Sequence, residues 1–495
     1  MGSIKSETVK SAKWSFLQTL TVQPVQMFFG MVLARLITPS EMGILGLTAI
    51  FFAVAGCLAE AGFGAALIRK SDMTDEDVDT MFWFNLLMSF VLSLTLFLLA
   101  PWFASFYQQP ELLWLTRVSA VMMLMMSTTS VHKTLFQRRR DFKTLAKIGM
   151  LSAFSGMPIC LLLAWLGWGV WALMVQNVVA SFVSLSLLWI RSPWKPRFVF
   201  SSQAFRSLFG FGSKLACAGL LHTLYTQLRT FIIGKFYSAA QLGLYSRGQH
   251  LSELAPVTIN GVLASITYPI LVTVQHDDER LTRAYRKYIK VSTVCIAWLC
   301  ALMASLAAPG VYILYGASWV PCAVYIQILS FAYAFDHICS INLNLLKVKG
   351  CSGILLKLEF IKKSVSVAIL LYAATIGVEA ICWGMVVYTQ LAVIINSFYT
   401  GKLINLSWWR QQRDYLPYFV LAFISVIPAY CITLCELHPF FQILLGGCAS
   451  VLIYFGVLYA MKEEAFCEIL AEVKNQFRKK FSGAKKGHCV KKVAE

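Results

Sequence analysis

The chain has 495 residues, of which 58% are hydrophobic and 14% charged; soluble domains carry roughly 25% charged residues, so a water-soluble globular fold is excluded. Its 43 Lys and Arg against 24 Asp and Glu give a formal net charge of +19. Nearly all of that basic charge lies in short segments between long apolar runs or in the C-terminal tail. This is a topology signal with attraction to anionic lipid, not the basic surface of a nucleic-acid binder.

About fourteen apolar runs are long enough to cross a bilayer at roughly 20 residues each. They cover approximately 14–37, 42–67, 81–104, 112–132, 148–167, 170–190, 208–233, 242–272, 291–314, 320–346, 361–377, 380–401, 415–435 and 439–461. All are expected to be helical, because backbone in hydrocarbon must satisfy its own hydrogen bonds. The connections alternate in charge. KTLFQRRRDFKTLAK (133–147) holds six basic residues, and SFYQQPE (105–111) holds none. By the positive-inside rule both termini are cytoplasmic, which predicts a multi-pass protein of the bacterial inner membrane. The first run is too long for a signal-peptide core and no small-residue cleavage site follows it, so it is expected to remain as an anchor.

Within the first run Gln18, Gln23 and Gln26 lie beside Pro24, which should bend the helix. ARLITPSEMGIL (34–45) is repeated as GKFYSAAQLGLY (234–245) at a constant offset, pairing Arg35 with Lys235, Thr38 with Ser238, Glu41 with Gln241 and Gly43 with Gly243. Each copy joins the first two spans of a six-span block. Six is even, so the blocks keep one orientation and should be related by a pseudo-twofold axis along the membrane normal. The expected organisation is an N-lobe (1–195), a C-lobe (196–405), an extra helix pair (406–461) and a basic cytoplasmic tail (462–495). Neither loops nor tail leave room for a catalytic or nucleotide-binding domain. No catalytic residue or cofactor is expected.

TDEDVDT (74–80) has the carboxylates of a metal–nucleotide motif but sits in a short loop, where acids at a helix start suit the helix dipole. Trp165, Trp168 and Trp171 cluster at an outer turn, as an interfacial aromatic belt does. The fourteen cysteines include no CxxC pair and mostly lie inside apolar spans, so they read as small packing residues and no metal site is expected.

A charge at mid-bilayer costs about 2.5–3.5 kcal/mol on insertion scales, so each one should face a cavity or a partner. The seventh span carries Lys214, His222, Tyr225 and Arg229. The last three are spaced by three and four and share a helical face. Lys214 lies ~22 Å from Arg229 along the axis, at 1.5 Å per residue. The eighth span adds Arg247, His250 and Glu253, the fourth Arg117, the tenth Asp336 and His337, and the second Glu60. Positive groups outnumber acids, and a cationic cavity suits an anionic substrate, phosphate or pyrophosphate above all. Lys214, Arg229, Arg247, Arg117 and Arg35 are the candidate anion-binding residues. His222, Tyr225, Gln23, Gln26, Glu60 and His250 are candidate polar lining, and Asp336, His337 and Glu253 candidates for ion coupling. The competing reading is that arginines snorkel, or pair with Glu253 and Asp336 to lock helices together.

LARLITPSEMGILGL (33–47), LAEAGFGAALIRKSD (58–72), LGLYSRGQHL (242–251), YPILVTVQHDDERL (268–281) and ILYGASWVPCAVYIQIL (313–329) together resemble the bacterial polysaccharide exporters of the multidrug/oligosaccharidyl-lipid/polysaccharide (MOP) exporter superfamily, colanic-acid-type flippases above all. The likeness spans essentially the whole chain. It implies a flippase that moves undecaprenyl-pyrophosphate-linked oligosaccharide to the outer leaflet by alternating access. Its partners would be membrane lipids, a polysaccharide polymerase and an H+ or Na+ counter-ion, and the last two helices would form a groove for the lipid tail. Related lipid II flippases place arginines midway along the first two helices. Here Gln23 and Gln26 stand in the first and no basic residue lies in the core of the second, which shifts the anionic site toward Lys214 and Arg229. The rivals are a multidrug antiporter of the same superfamily, which would need a membrane-embedded acid, and a membrane polymerase or ligase, which would need a long outer loop.

Overall fold

The computed structural model describes residues 21–22, 24–60, 63–70, 72–139, 141–463 and 466–467, all of them helix, turn or loop with no strand among the described residues. In chain order the helices are α1 (Pro24–Ala34), α2 (Pro39–Glu60), α3 (Phe63–Arg69), α4 (Asp75–Tyr107), α5 (Leu112–Arg138), α6 (Phe142–Trp165), α7 (Val170–Arg191), α8 (Ser202–Phe236) and α9 (Ala239–Thr273). There follow α10 (Asp278–Ser305), α11 (Ala307–Tyr315), a 3-10 turn (Ala317–Cys322), α12 (Ala323–Tyr333), α13 (Asp336–Val348), α14 (Ser352–Ala373), α15 (Val378–Leu403), α16 (Trp408–Thr433) and α17 (Pro439–Ala460). Among the described residues nine helical segments are long and apolar enough to cross a membrane.

Several helices run past the apolar runs that predict them, because polar caps prolong them. Thr74 closes a capping box with Asp77, so α4 starts six residues before its apolar run at 81. Asp277 accepts from the Arg280 amide at 3.0 Å and starts α10 ahead of 291. Two runs expected as single helices are broken. The ninth is split at Leu306, with Pro309 in the first turn of α11, where no amide donor is required. The tenth is split into the 3-10 turn, α12 and α13, which puts Asp336 in the first turn of α13, where a carboxylate is favoured.

The chain gathers into two compact units, Met1–Ser246 and Arg247–Glu495. In the first, the sequence repeat becomes a repeated piece of structure. Glu41 accepts from the Thr38 amide at 2.7 Å while the Thr38 hydroxyl accepts from the Glu41 amide at 3.4 Å. Gln241 accepts from the Ser238 amide at 3.4 Å while the Ser238 hydroxyl accepts from the Gln241 amide at 3.2 Å. Both copies are therefore capping boxes, at the starts of α2 and α9. Just inside them Gly43 packs on Ala239 and Gly243 packs on Pro39, backbone against backbone.

TDEDVDT anchors the segment between α7 and α8. The Arg197 guanidinium meets Asp75 at 3.0 Å, and the Arg197 amide donates to Asp79 at 3.1 Å. The Ser201 amide donates to the Thr80 hydroxyl at 3.0 Å, the Trp83 indole donates to the Arg197 carbonyl at 2.7 Å, and Trp83 stacks on Phe198. Asp77, fully buried, is ion-paired with Lys70 at 2.7 Å. Its carboxylates thus cap and clamp.

The second unit is built around a large apolar cluster from α10, α13, α15 and α16. A hydrogen-bonded knot lies within it. The Tyr285 hydroxyl bridges Asn342 at 2.5 Å and Gln411 at 3.0 Å, and Thr400 donates to Asn342 at 2.8 Å. Beside it Arg286 grips buried Asp414 with two bonds of 2.6 and 2.7 Å. Helix α17 joins the unit through Tyr454, which donates to the Val294 carbonyl at 3.0 Å, and Trp298, which donates to Ser450 at 3.0 Å.

Candidate functional site

Helix α8 is continuous through the expected polar stripe, so the three-and-four spacing holds in space. His222 is exposed, and Tyr225 and Arg229 are half-buried on the same side. The side chain of Lys214 lies outside the described residues, as do that of Glu60 and the whole of Gln23. Gln26 is exposed on α1.

The other cations are held by neighbours. The Arg117 guanidinium sits 4.9 Å from the Phe97 ring and 4.8 Å from that of Trp114. Arg247 lies 5.3 Å from the Tyr315 ring and 5.9 Å from that of Trp319, both buried. Cation–π contacts of this kind hold a guanidinium in place. Arg35 is exposed in the turn between α1 and α2. Glu253 accepts from the Tyr333 hydroxyl at 3.0 Å, and His250 is exposed. His337 is fully buried with Nε2 2.8 Å from the Thr293 hydroxyl, whereas Asp336 next to it is exposed. Among the described residues, His222, Tyr225 and Arg229 thus share one side of a continuous helix.

Two features escape the sequence reading. The first is Lys362 on α14, 4% exposed and ion-paired with Glu359 at 2.5 Å. It stands at the edge of an apolar run and reads there as a loop cation. The second is a cavity of about 440 Å³ in the first unit, bounded by α2, α5 and α7. Lys133 enters it, although its neighbours in 133–147 mark it in the sequence as a loop residue. The available signal is the recurrence of Asn177, Ser181 and Ser184 at steps of four and three on α7. No group of three or more His, Cys, Asp or Glu side chains able to hold a metal occurs among the described residues.

A family described as "Polysaccharide biosynthesis protein" matches residues 32–324. The chain belongs to that family. It is 26% identical over 429 residues to the succinoglycan biosynthesis transport protein ExoT of Rhizobium meliloti, covering 86% of this chain and 85% of that one. Its fold matches the lipid II flippase MurJ in an inward closed conformation with a TM-score of 0.70 at 11% identity, over 92% of this chain and 100% of the other. It also matches an inward-facing MATE-family multidrug transporter of the MOP superfamily with a TM-score of 0.61 at 17% identity, over 78% and 94%. The resemblance to polysaccharide biosynthesis proteins therefore holds, with a fold like that of these two transporters, and this family member is a multi-pass protein of the bacterial inner membrane.

Proposed function

We propose that this protein is a flippase for undecaprenyl-pyrophosphate-linked oligosaccharide, carrying repeat units for surface polysaccharide from the inner to the outer leaflet. The observation that carries the reading is the polar side of the continuous helix α8, with His222, Tyr225 and Arg229, in a chain of this family and fold. The pyrophosphate would anchor at Arg229 and Lys214, the sugars would occupy the wet cavity, and the polyprenol would trail into lipid. Arg35, Arg117 and Arg247 would contribute positive potential, with Gln23, Gln26, Glu60 and His250 as further lining. Fourteen spans in two six-helix lobes (1–195 and 196–405) with an extra pair (406–461) and cytoplasmic termini would supply alternating access. Direction would come from differential affinity between two states, or from an H+ or Na+ gradient acting on Asp336, His337 and Glu253. A polymerase on the outer face would consume the product.

The test is deletion of the gene in the native host, with mass spectrometry of the polyprenyl-linked intermediates. Accumulation of a complete repeat unit on pyrophosphate, with loss of surface polysaccharide, is the expected result. Unchanged pools together with new sensitivity to cationic drugs would instead make the protein an antiporter.

A further inference from the structure

In the first unit, the end at which α4 and α8 begin and α7 finishes lies at the edge of three apolar runs. Trp83 and Phe84 open the run of α4 that starts at 81, Arg191 follows directly on the run of α7, and Arg206 stands just before that of α8. The segment 192–201 is pinned at this level. The Trp83 indole donates to the Arg197 carbonyl, and the Ser201 amide donates to the Thr80 hydroxyl.

The pinned segment turns its rings outward. Phe198 stacks on Trp83 with ring centres 4.6 Å apart, yet it is 92% exposed, more than any other large apolar side chain among the described residues. Phe200 is exposed as well; its ring lies 5.8 Å from that of Phe205, which in turn lies 5.0 Å from that of Phe84. A loose loop would fold such rings inward. One tied through its backbone at 197 and 201 holds them out.

The charge around the rings has one sign, for residues 190–209 hold four basic residues and no acid. Two of the four are used internally: Lys195 donates to the Trp189 carbonyl, and Arg197 pairs with Asp75 at 3.0 Å. Arg191 and Arg206 are exposed and bond to no described residue. Of the five acids between 72 and 79, Asp75, Asp77 and Asp79 are already engaged by Arg197 and Lys70.

We infer that this rim is a docking surface for anionic phospholipid of the leaflet it faces. Arg191 and Arg206 pair with headgroup phosphates, a charge-assisted contact that the guanidinium fork suits, while Phe198 and Phe200 sit in the interfacial layer. Segments that lie in a membrane surface combine cations with aromatic residues in this way, and basic clusters at the ends of membrane helices select anionic headgroups. Rings level with the first residues of an apolar run stand at the bilayer surface, where a lipid is the neighbour and a soluble protein is not. The surface is the same whatever solute is carried, so it stands apart from the flippase reading.

Native mass spectrometry of the purified full-length protein in detergent tests it, by titration with phosphatidylglycerol and phosphatidylcholine of matched acyl chains. Phosphatidylglycerol is expected to bind the more tightly. Each arginine should contribute about five-fold, the equivalent of about 1 kcal/mol per cation near a lipid surface. Arg191→Gln together with Arg206→Gln should therefore weaken phosphatidylglycerol about 25-fold and leave phosphatidylcholine unchanged. Arg139→Gln together with Lys147→Gln, an equal loss of exposed charge around the start of α6, should weaken it far less. A benzophenone photocrosslinker in place of Phe198 should take up the mass of a phospholipid in native membranes. Equal binding of the two lipids by the wild type, unchanged phosphatidylglycerol affinity in the double variant, an equal loss in the control pair, displacement by millimolar inorganic phosphate, or crosslinking at 198 to a protein instead of a lipid would each overturn the proposal.

Discussion

Gly43 and Gly243 stand back to back, each in the space that a side chain on the other would need. A Cβ on Gly43 would overlap the Ala239 carbonyl and lie 3.0 Å from the Gly243 nitrogen; a Cβ on Gly243 would overlap the Pro39 carbonyl and lie 3.0 Å from the Gly43 nitrogen. Backbone carbonyls in capped first turns cannot swing aside. Gly43→Ala and Gly243→Ala should each cost about 1–3 kcal/mol through overpacking, read as a lowered melting temperature in detergent. Gly46→Ala, whose nearest neighbour atom would be 3.8 Å away, should melt as wild type does.

Arg229→Glu should abolish export while leaving membrane insertion intact, since it reverses a half-buried charge on the polar side of α8. Complementation of the deletion strain, with the polyprenyl-linked pool as readout, checks it. Normal export by this variant would remove Arg229 from the substrate site.

Arg247 and Arg117 should behave in the opposite way. Their guanidiniums are spread over aromatic rings, and losing such a contact costs about 0.5–2 kcal/mol. Arg247→Leu should lower the melting temperature, and Arg247→Lys should recover part of the loss. Export per folded molecule should fall less in Arg247→Leu than in Arg229→Glu.

In the second unit, Asp414→Asn weakens both bonds to Arg286, and Tyr285→Phe removes the hydroxyl that joins Asn342 to Gln411. Groups left unsatisfied in such places cost about 1–3 kcal/mol. Asp414 is 5% exposed but Arg286 is 42% exposed, so the lower half of that range is expected for Asp414→Asn. Thermal unfolding of the purified variants measures both.

Asp336→Asn tests coupling. Export by this variant should lose its dependence on the transmembrane proton gradient, measured by collapsing the gradient with an uncoupler in whole cells. A dependence equal to wild type would exclude Asp336.

What was legible in the sequence followed from local chemistry. The repeat at 34–45 and 234–245 is readable because a capping box needs its Thr or Ser and its Glu or Gln three residues apart wherever it occurs. The α8 stripe is readable because charge is rare in an apolar run. Lys133 and Lys362 were not, because each stands beside other basic residues at the end of a run, where charge carries no surprise. What surrounds them depends on which helix lies alongside, and spacing along one chain does not record that. The knot at Tyr285 draws on positions 285, 342, 400 and 411, too far apart for any pattern in sequence. Arg117 and Arg247 are read in the sequence as the α8 residues are, and the rings of Phe97 and of Tyr315 and Trp319 come to lie over them from other segments of the chain, which spacing does not record.

The clamp of residues 197–201 on the start of α4 has a consequence for biosynthesis. Every group in it, from Asp75 to Ser201, precedes α8 in the chain. A nascent polypeptide that has reached the end of this segment already carries all the bonds needed to tie it down, before any of the following helices leaves the ribosome. The point from which the second half is threaded into the bilayer is therefore fixed by residues already made.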